Sequence, residues 1–148
     1  MKNVLLSTPT LAIKAWSSAL AKHSAFQYLL NWAFYAKAAA DCPALTGTIA
    51  DDYGAIYTFT INSSGTTAVY KSAAFAKTAA FNLGNLYKAN FQGATNALLG
   101  TGEVIIGWLV VINDSGSTFT GGTTALDTAS VTTYYINAFG LTPQDIVQ

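Results

Sequence analysis

The chain has 148 residues, with a single histidine and a single cysteine, which is little from which to build a catalytic or metal centre. His23 lies among Ala and Ser with no acidic neighbour in sequence. With Asp41 and Cys42 it makes no spacing that a tetrahedral metal site uses, so an exposed or hydrogen-bonded histidine is expected. Cys42 has no partner for an intramolecular disulfide, and no Lys or Arg flanks it. Asp41 beside it raises a thiol pKa, so a packed, inert thiol is expected. The adjacent carboxylates Asp51-Asp52 have the chemistry to hold a calcium ion or to work as acid and base. No Asp-x-Asp-x-Asp-Gly loop surrounds them, and a polar pair leading into a strand at Ala55 is expected. Gly121-Gly122 lacks the Gly-Lys-Ser/Thr continuation of a phosphate loop and reads as a turn. No Gly-x-Ser-x-Gly nucleophile elbow occurs. These residues predict no catalytic site, no cofactor and no metal. Trp16, Trp32 and Trp108, with 8 Tyr and 8 Phe, have the chemistry of a sugar-stacking platform. Aromatics at alternating strand positions are instead expected in the core or at subunit contacts.

The elements that would position these residues read as strands. Residues 1–10 form an extended arm, and Leu11 to Trp16 alternates weakly. Ser17 to Lys37 is ambiguous: its Ala, Leu and Lys content favours helix, while Tyr28, Leu29, Leu30, Trp32, Phe34 and Tyr35 favour strand. A hairpin turning at Asn31-Trp32 competes with the helix, and the balance leans to strand. Ala55, Tyr57, Phe59 and Ile61 alternate with Ile56, Thr58 and Thr60, which predicts a half-buried strand. Asn62-Ser63-Ser64-Gly65 is turn chemistry, and Thr66 to Lys71 returns as its partner. Ser72 to Gly102 is a long excursion that implies hidden structure or contact with another chain. Glu103 to Asn113 is nearly continuous in apolar residues, so it predicts a strand buried on both faces. Phe119 to Thr124 is a tight loop, Val131 to Asn137 the last strand, and Pro143 bars a central-strand continuation.

Length and charge narrow the function. The expectation is one domain over 1–148, with an arm and lead-in segment over 1–24, a β core over 25–142 and a tail over 143–148. The start imitates a signal peptide, but its apolar run breaks at Ser7-Thr8-Pro9-Thr10 and Lys14 sits where the apolar region belongs. No 18 consecutive apolar residues occur, so no membrane partner is expected. Seven lysines and no arginine balance seven acidic groups to a net charge of zero, which disfavours nucleic acid as a partner. Charged residues are 9% of the chain against about 25% in ordinary domains, and mean hydropathy is +0.34. Fourteen charges leave a surface of mostly Thr, Ser, Asn and Gln. Such a surface suits an exterior covered by copies of itself or by a scaffold. A homo-oligomer is therefore expected, with three copies as the expected number. Val4, Leu5 and Leu6 of the arm are expected to dock on a partner chain.

Four stretches carry a family pattern. They are Phe34-Tyr35-Ala36-Lys37-Ala38-Ala39, the run Ile56 to Thr66, the run Val104 to Val111 continued by Ser117 to Asp127, and Val131 to Ile136. The chain over roughly residues 26 to 137, where these stretches lie, resembles small tailed-bacteriophage virion proteins of the head-decoration, cement or head-fibre kind. The most specific part joins Ile106-Gly107 and Val110-Val111 to Phe119-Thr120, Gly122-Thr123-Thr124 and Leu126-Asp127. The Ser72–Gly102 excursion departs from the pattern. The resemblance implies a location in the virion and a self-assembling, mainly β protein with no catalytic motif. Composition and resemblance together give a specific expectation. It is an antiparallel β-sandwich or barrel-like domain on the capsid exterior, a decoration or cement protein bound to the major capsid protein. A fibre, tail or neck component of the virion is the runner-up, and a carbohydrate-binding module is the expectation from a different class.

Overall fold

The computed structural model describes residues 4–77 and 102–138. Strands take up 53% of them, and every pairing is antiparallel. The mainly β, sandwich-like class expected from the alternation is the class observed. In chain order the strands are β1 (Val4–Leu5), β2 (Leu11–Ile13), β3 (Ala21–His23), β4 (Phe26–Leu30), β5 (Ala33–Lys37), β6 (Ala40–Asp41), β7 (Thr48–Ile49), β8 (Tyr53–Asn62), β9 (Thr67–Lys71), β10 (Phe75–Ala76), β11 (Glu103–Asn113), β12 (Phe119–Thr120) and β13 (Val131–Asn137).

The largest sheet is centred on β8 and β11. β11 pairs with β8 on one side and β13 on the other, while β9 and β10 line the opposite edge of β8. Aromatic and β-branched residues fill both central strands, which suits a pleated, packed surface. The β8–β9 turn forms as the sequence predicts. Asn62 Oδ1 accepts the amides of Ser64 and Thr66, each at 3.0 Å, and Gly65 takes a φ of 74°. One expectation fails here. The alternation in β8 predicts one solvated face, yet Thr58 and Thr60 are as buried as Tyr57 and Phe59. Both edges of β8 are paired and both its faces covered, which buries Thr58, whose Oγ1 has no hydrogen-bond partner among the described residues, together with Thr60. Thr60 Oγ1 donates to Glu103 Oε2 at 2.8 Å.

Gly107 marks the place where the pairing of β11 with β8 shifts register, between Ile105 and Gly107. A Cβ there would lie 2.5 Å from the Ile136 carbonyl oxygen and 2.5 Å from Leu11 Cδ1. Glycine inside a strand marks such a bulge and close approach.

Smaller sheets cover this one. β1, β4 and β5 form a three-stranded sheet in that order, and β1 and β4 pack across β11. Tyr28 on β4 stacks on Tyr35 of β5 at 5.1 Å and donates its hydroxyl to the Asn62 carbonyl at 2.9 Å. β2, β3 and β6 form a second such sheet, tied to β13 where the Leu11 amide donates to Asn137 Oδ1 at 3.0 Å. β7 and β12 pair as a short ribbon. The core runs through all of these, from Leu5, Tyr28 and Leu30 to Ile49, Phe59, Leu109 and Phe119.

Two further expectations are decided here. The helix alternative over Ser17–Lys37 gives way to strands, with the β4–β5 hairpin turning at Asn31-Trp32 as the strand reading has it. The arm does not wait for a partner chain. Val4 pairs with Leu29 and Leu5 with Tyr28 of the same chain, Leu6 donates its amide to the Gln27 carbonyl, and Leu5 is buried. The free edge of β4 offers the arm backbone hydrogen bonds that an isolated segment lacks. β1, β2 and β3 all fall within the 1–24 segment. Of the Ser72–Gly102 excursion, residues 78–101 lie outside the described residues, as does the 143–148 tail.

Candidate functional site

The residues with chemical potential are dispersed. His23 is buried on β3, its Nδ1 2.8 Å from the Ser24 carbonyl oxygen and its ring edge-on to Phe26. It is thus a packed histidine, not an exposed one. Asp41 points to solvent and pairs with Lys14 at 2.6 Å. Cys42 is buried. Burial, and secondarily the Asp41 carboxylate, push its thiol up to about 12. The packed, inert thiol expected from the sequence is what this environment makes. Only about one thiol in 10⁴ is ionised at pH 8 with such a pKa. Folded protein is therefore expected to resist a thiol-specific reagent at pH 8 for hours and to react within minutes in denaturant. Rapid labelling of the native protein would contradict the burial.

Asp51 and Asp52 meet Asp114, their carboxylate oxygens within 4.8 Å of one another. Sequence reasoning missed Asp114, because sheet pairing brings it there from the end of β11. Lys77 supplies the counter-charge: its ammonium pairs with Asp114 and lies 3.9 Å from Asp52. The hydrogen bond from Lys77 holds the Asp114 carboxyl below the usual carboxylate range and raises Lys77 in turn. Asp51 Oδ1 accepts the Gly116 amide at 2.9 Å. The cluster ties the start of β8 to the β11–β12 turn. Gly121-Gly122 forms the turn expected of it. Gly121 donates its amide to Gly47, and a Cβ on it would sit 2.8 Å from the Leu45 carbonyl.

The aromatics divide. Trp108 is buried, while Trp16 is 89% exposed, Trp32 73% and Phe34 77%. Trp16 rides on the β2–β3 loop. That loop is held by the Ser17 amide on Asp127 Oδ2 and the Leu126 amide on the Ser18 carbonyl, both at 2.9 Å. Trp32 and Phe34 belong to the β4–β5 hairpin. Pairing puts Val4, Leu29 and Phe34 in one row across the outer face of β1, β4 and β5, and Gln27 and Ala36 in the next, beside Leu6. The described residues of this face carry no charge. Asn31 and Trp32 have φ of 52° and 67°, the two positive values of the tight hairpin turn that normally selects Asn-Gly. A tryptophan where glycine belongs is the signal the sequence held. No family model matches the chain, and no curated protein or solved structure is significantly similar to it.

Proposed function

We propose that this chain is a structural protein of a tailed-bacteriophage virion, a decoration or cement protein that assembles as a homo-oligomer on the capsid exterior and binds the major capsid protein. The observation that carries the reading is the presentation of Trp16, Trp32 and Phe34 to solvent, each more than 70% exposed, on a chain with only fourteen charges. Large exposed aromatics on a rigid β scaffold are the anchors of protein contacts. The resemblance of residues 26–137 to phage virion proteins names the assembly in which such contacts would be made.

Quantitative gels of purified particles test it. Copies in the hundreds per virion are expected for a protein spread over a lattice. About a dozen copies would move the protein to the tail or neck, and absence from the particle would end the reading. The exposed Trp16 and Trp32 also support a carbohydrate-binding module, since sugar rings stack on such faces. A glycan array with specific, saturable binding would favour that module over the cement protein.

A further inference from the structure

We propose that the free edge of β5 is where two copies of this chain join, strand to strand, in an antiparallel pair about a two-fold axis. The inference rests on the self-assembly in the reading above and names its surface.

The edge can be read from the register. Gln27 on β4 accepts the Leu6 amide at its carbonyl and donates its own amide to Ser7 Oγ. Both its backbone groups thus face away from β5. Gln27 stands opposite Ala36, so this is the non-hydrogen-bonded kind of antiparallel pair, and the Ala36 amide and carbonyl face outward. Strand periodicity gives Phe34 the same orientation. No described residue pairs with that side of β5, which ends its sheet.

What surrounds the edge distinguishes it from β9 and β13. Phe34 and Ala36 are exposed on β5 and Trp32 on its turn. Bulky residues at positive φ are strained, and such strain persists where it serves a contact. Trp32 combines that strain with 73% exposure. Natural edge strands are usually protected by charge or proline, and β5 has one charge, Lys37, whose ammonium is turned onto the Gly65 carbonyl at 2.8 Å.

A second copy fits better than a different partner because the strand is complementary to itself. Centred on Tyr35, the pairing sets Ala33 to Lys37 against Lys37 to Ala33 of the second copy. Phe34 then meets Ala36, the outward amides meet outward carbonyls, and Lys37 meets Ala33 instead of a like charge. The two sheets become one six-stranded sheet whose described outer-face residues are uncharged. Trp32 and Phe34 alone offer about 230–370 Å² per copy at their 73% and 77% exposure. Leu6, Ala36 and the strand edge extend this towards the roughly 800 Å² per partner of a stable interface.

Light scattering at micromolar concentration tests this on the intact chain. The wild type is expected at twice its 15.5 kDa. Ala36→Pro removes the outward amide without touching the β4 ladder, and Phe34→Ser removes the main side-chain contact. Both are expected at the monomer mass with an unchanged strand signal in circular dichroism. Trp32→Gly is expected to weaken association at least tenfold without lowering the thermal midpoint of the separated chains, because glycine suits the turn. Trp16→Ser, at a more exposed position on another loop, is expected to stay dimeric. A wild-type monomer would overturn the pairing. So would a three-fold mass, or a dimer that survives both Ala36→Pro and Phe34→Ser. A trimer still counted in the hundreds on particles would reject the β5 pair alone and leave the virion role standing.

Discussion

Trp108→Ala is expected to cost about 3–5 kcal/mol of folding stability, the range for truncating a large buried aromatic. Trp108 is 1% exposed on the central strand β11, in register with Thr58 on β8 and Ile136 on β13. Truncation leaves a cavity against β11, whose two edges are both paired, so the strand cannot close in. Since whole domains are stable by about 5–15 kcal/mol, this one change removes a large part of the total. The matched control is Trp16→Ala, which strips an equal side chain from a position 89% exposed and is expected to change stability by at most about 0.5 kcal/mol. Urea unfolding of the two variants checks both values. Equal losses would place Trp108 outside the core.

The second large effect concerns the first strand. Leu5→Ala is expected to cost about 2–3 kcal/mol, since Leu5 is 7% exposed in the chain's own core. Deleting residues 1–10 is expected to cost at least as much. It also strips the Leu6 amide from the Gln27 carbonyl and Ser7 Oγ from the Gln27 amide, and bares the second edge of β4. An arm that docked only on another chain would behave differently, because its removal would leave the unfolding curve of the separated chain unmoved. Thermal or urea unfolding of both variants separates the two arrangements.

How much of this was legible depends on whether the signal was local. The β8–β9 turn was, because Asn62 and Gly65 do their work within four residues of each other. So was β11, whose unbroken apolar run reads as burial on both faces. The β4–β5 hairpin was half legible: Asn31-Trp32 marks the turn and the balance leans to strand, while the Ala, Leu and Lys around it favour helix. The long-range features were hidden. Thr58 and Thr60 have the polarity of a solvated face, and only the sheet's context buries them. Val4, Leu5 and Leu6 look alike in sequence, yet strand alternation sends Leu5 into the core and Leu6 to solvent. Trp108 and Trp16 are the same residue with opposite fates. Aromatic content alone therefore assigned both to the core or to a contact, and did not point to the face that holds Phe34. Asp114 joins Asp51 and Asp52 across more than sixty positions, beyond the reach of any local motif.

The hydrogen bond from the Leu11 amide to Asn137 spans 126 positions, and it sets a timetable for how the chain acquires its shape. A ribosome adding about 5–20 residues per second delivers Asn137 roughly 6–25 s after Leu11. Over that interval β2 has no β13 to close against, and the Ser17 amide has no Asp127. The sandwich therefore cannot be completed from the N-terminus outward. The nascent chain must carry its first apolar strands unfinished until the last ones emerge. Closure of such distant pairings is slow, on the order of milliseconds to seconds for β-sandwich topologies. Late closure of these pairings is therefore expected to make the yield of folded chain sensitive to the rate and temperature of synthesis.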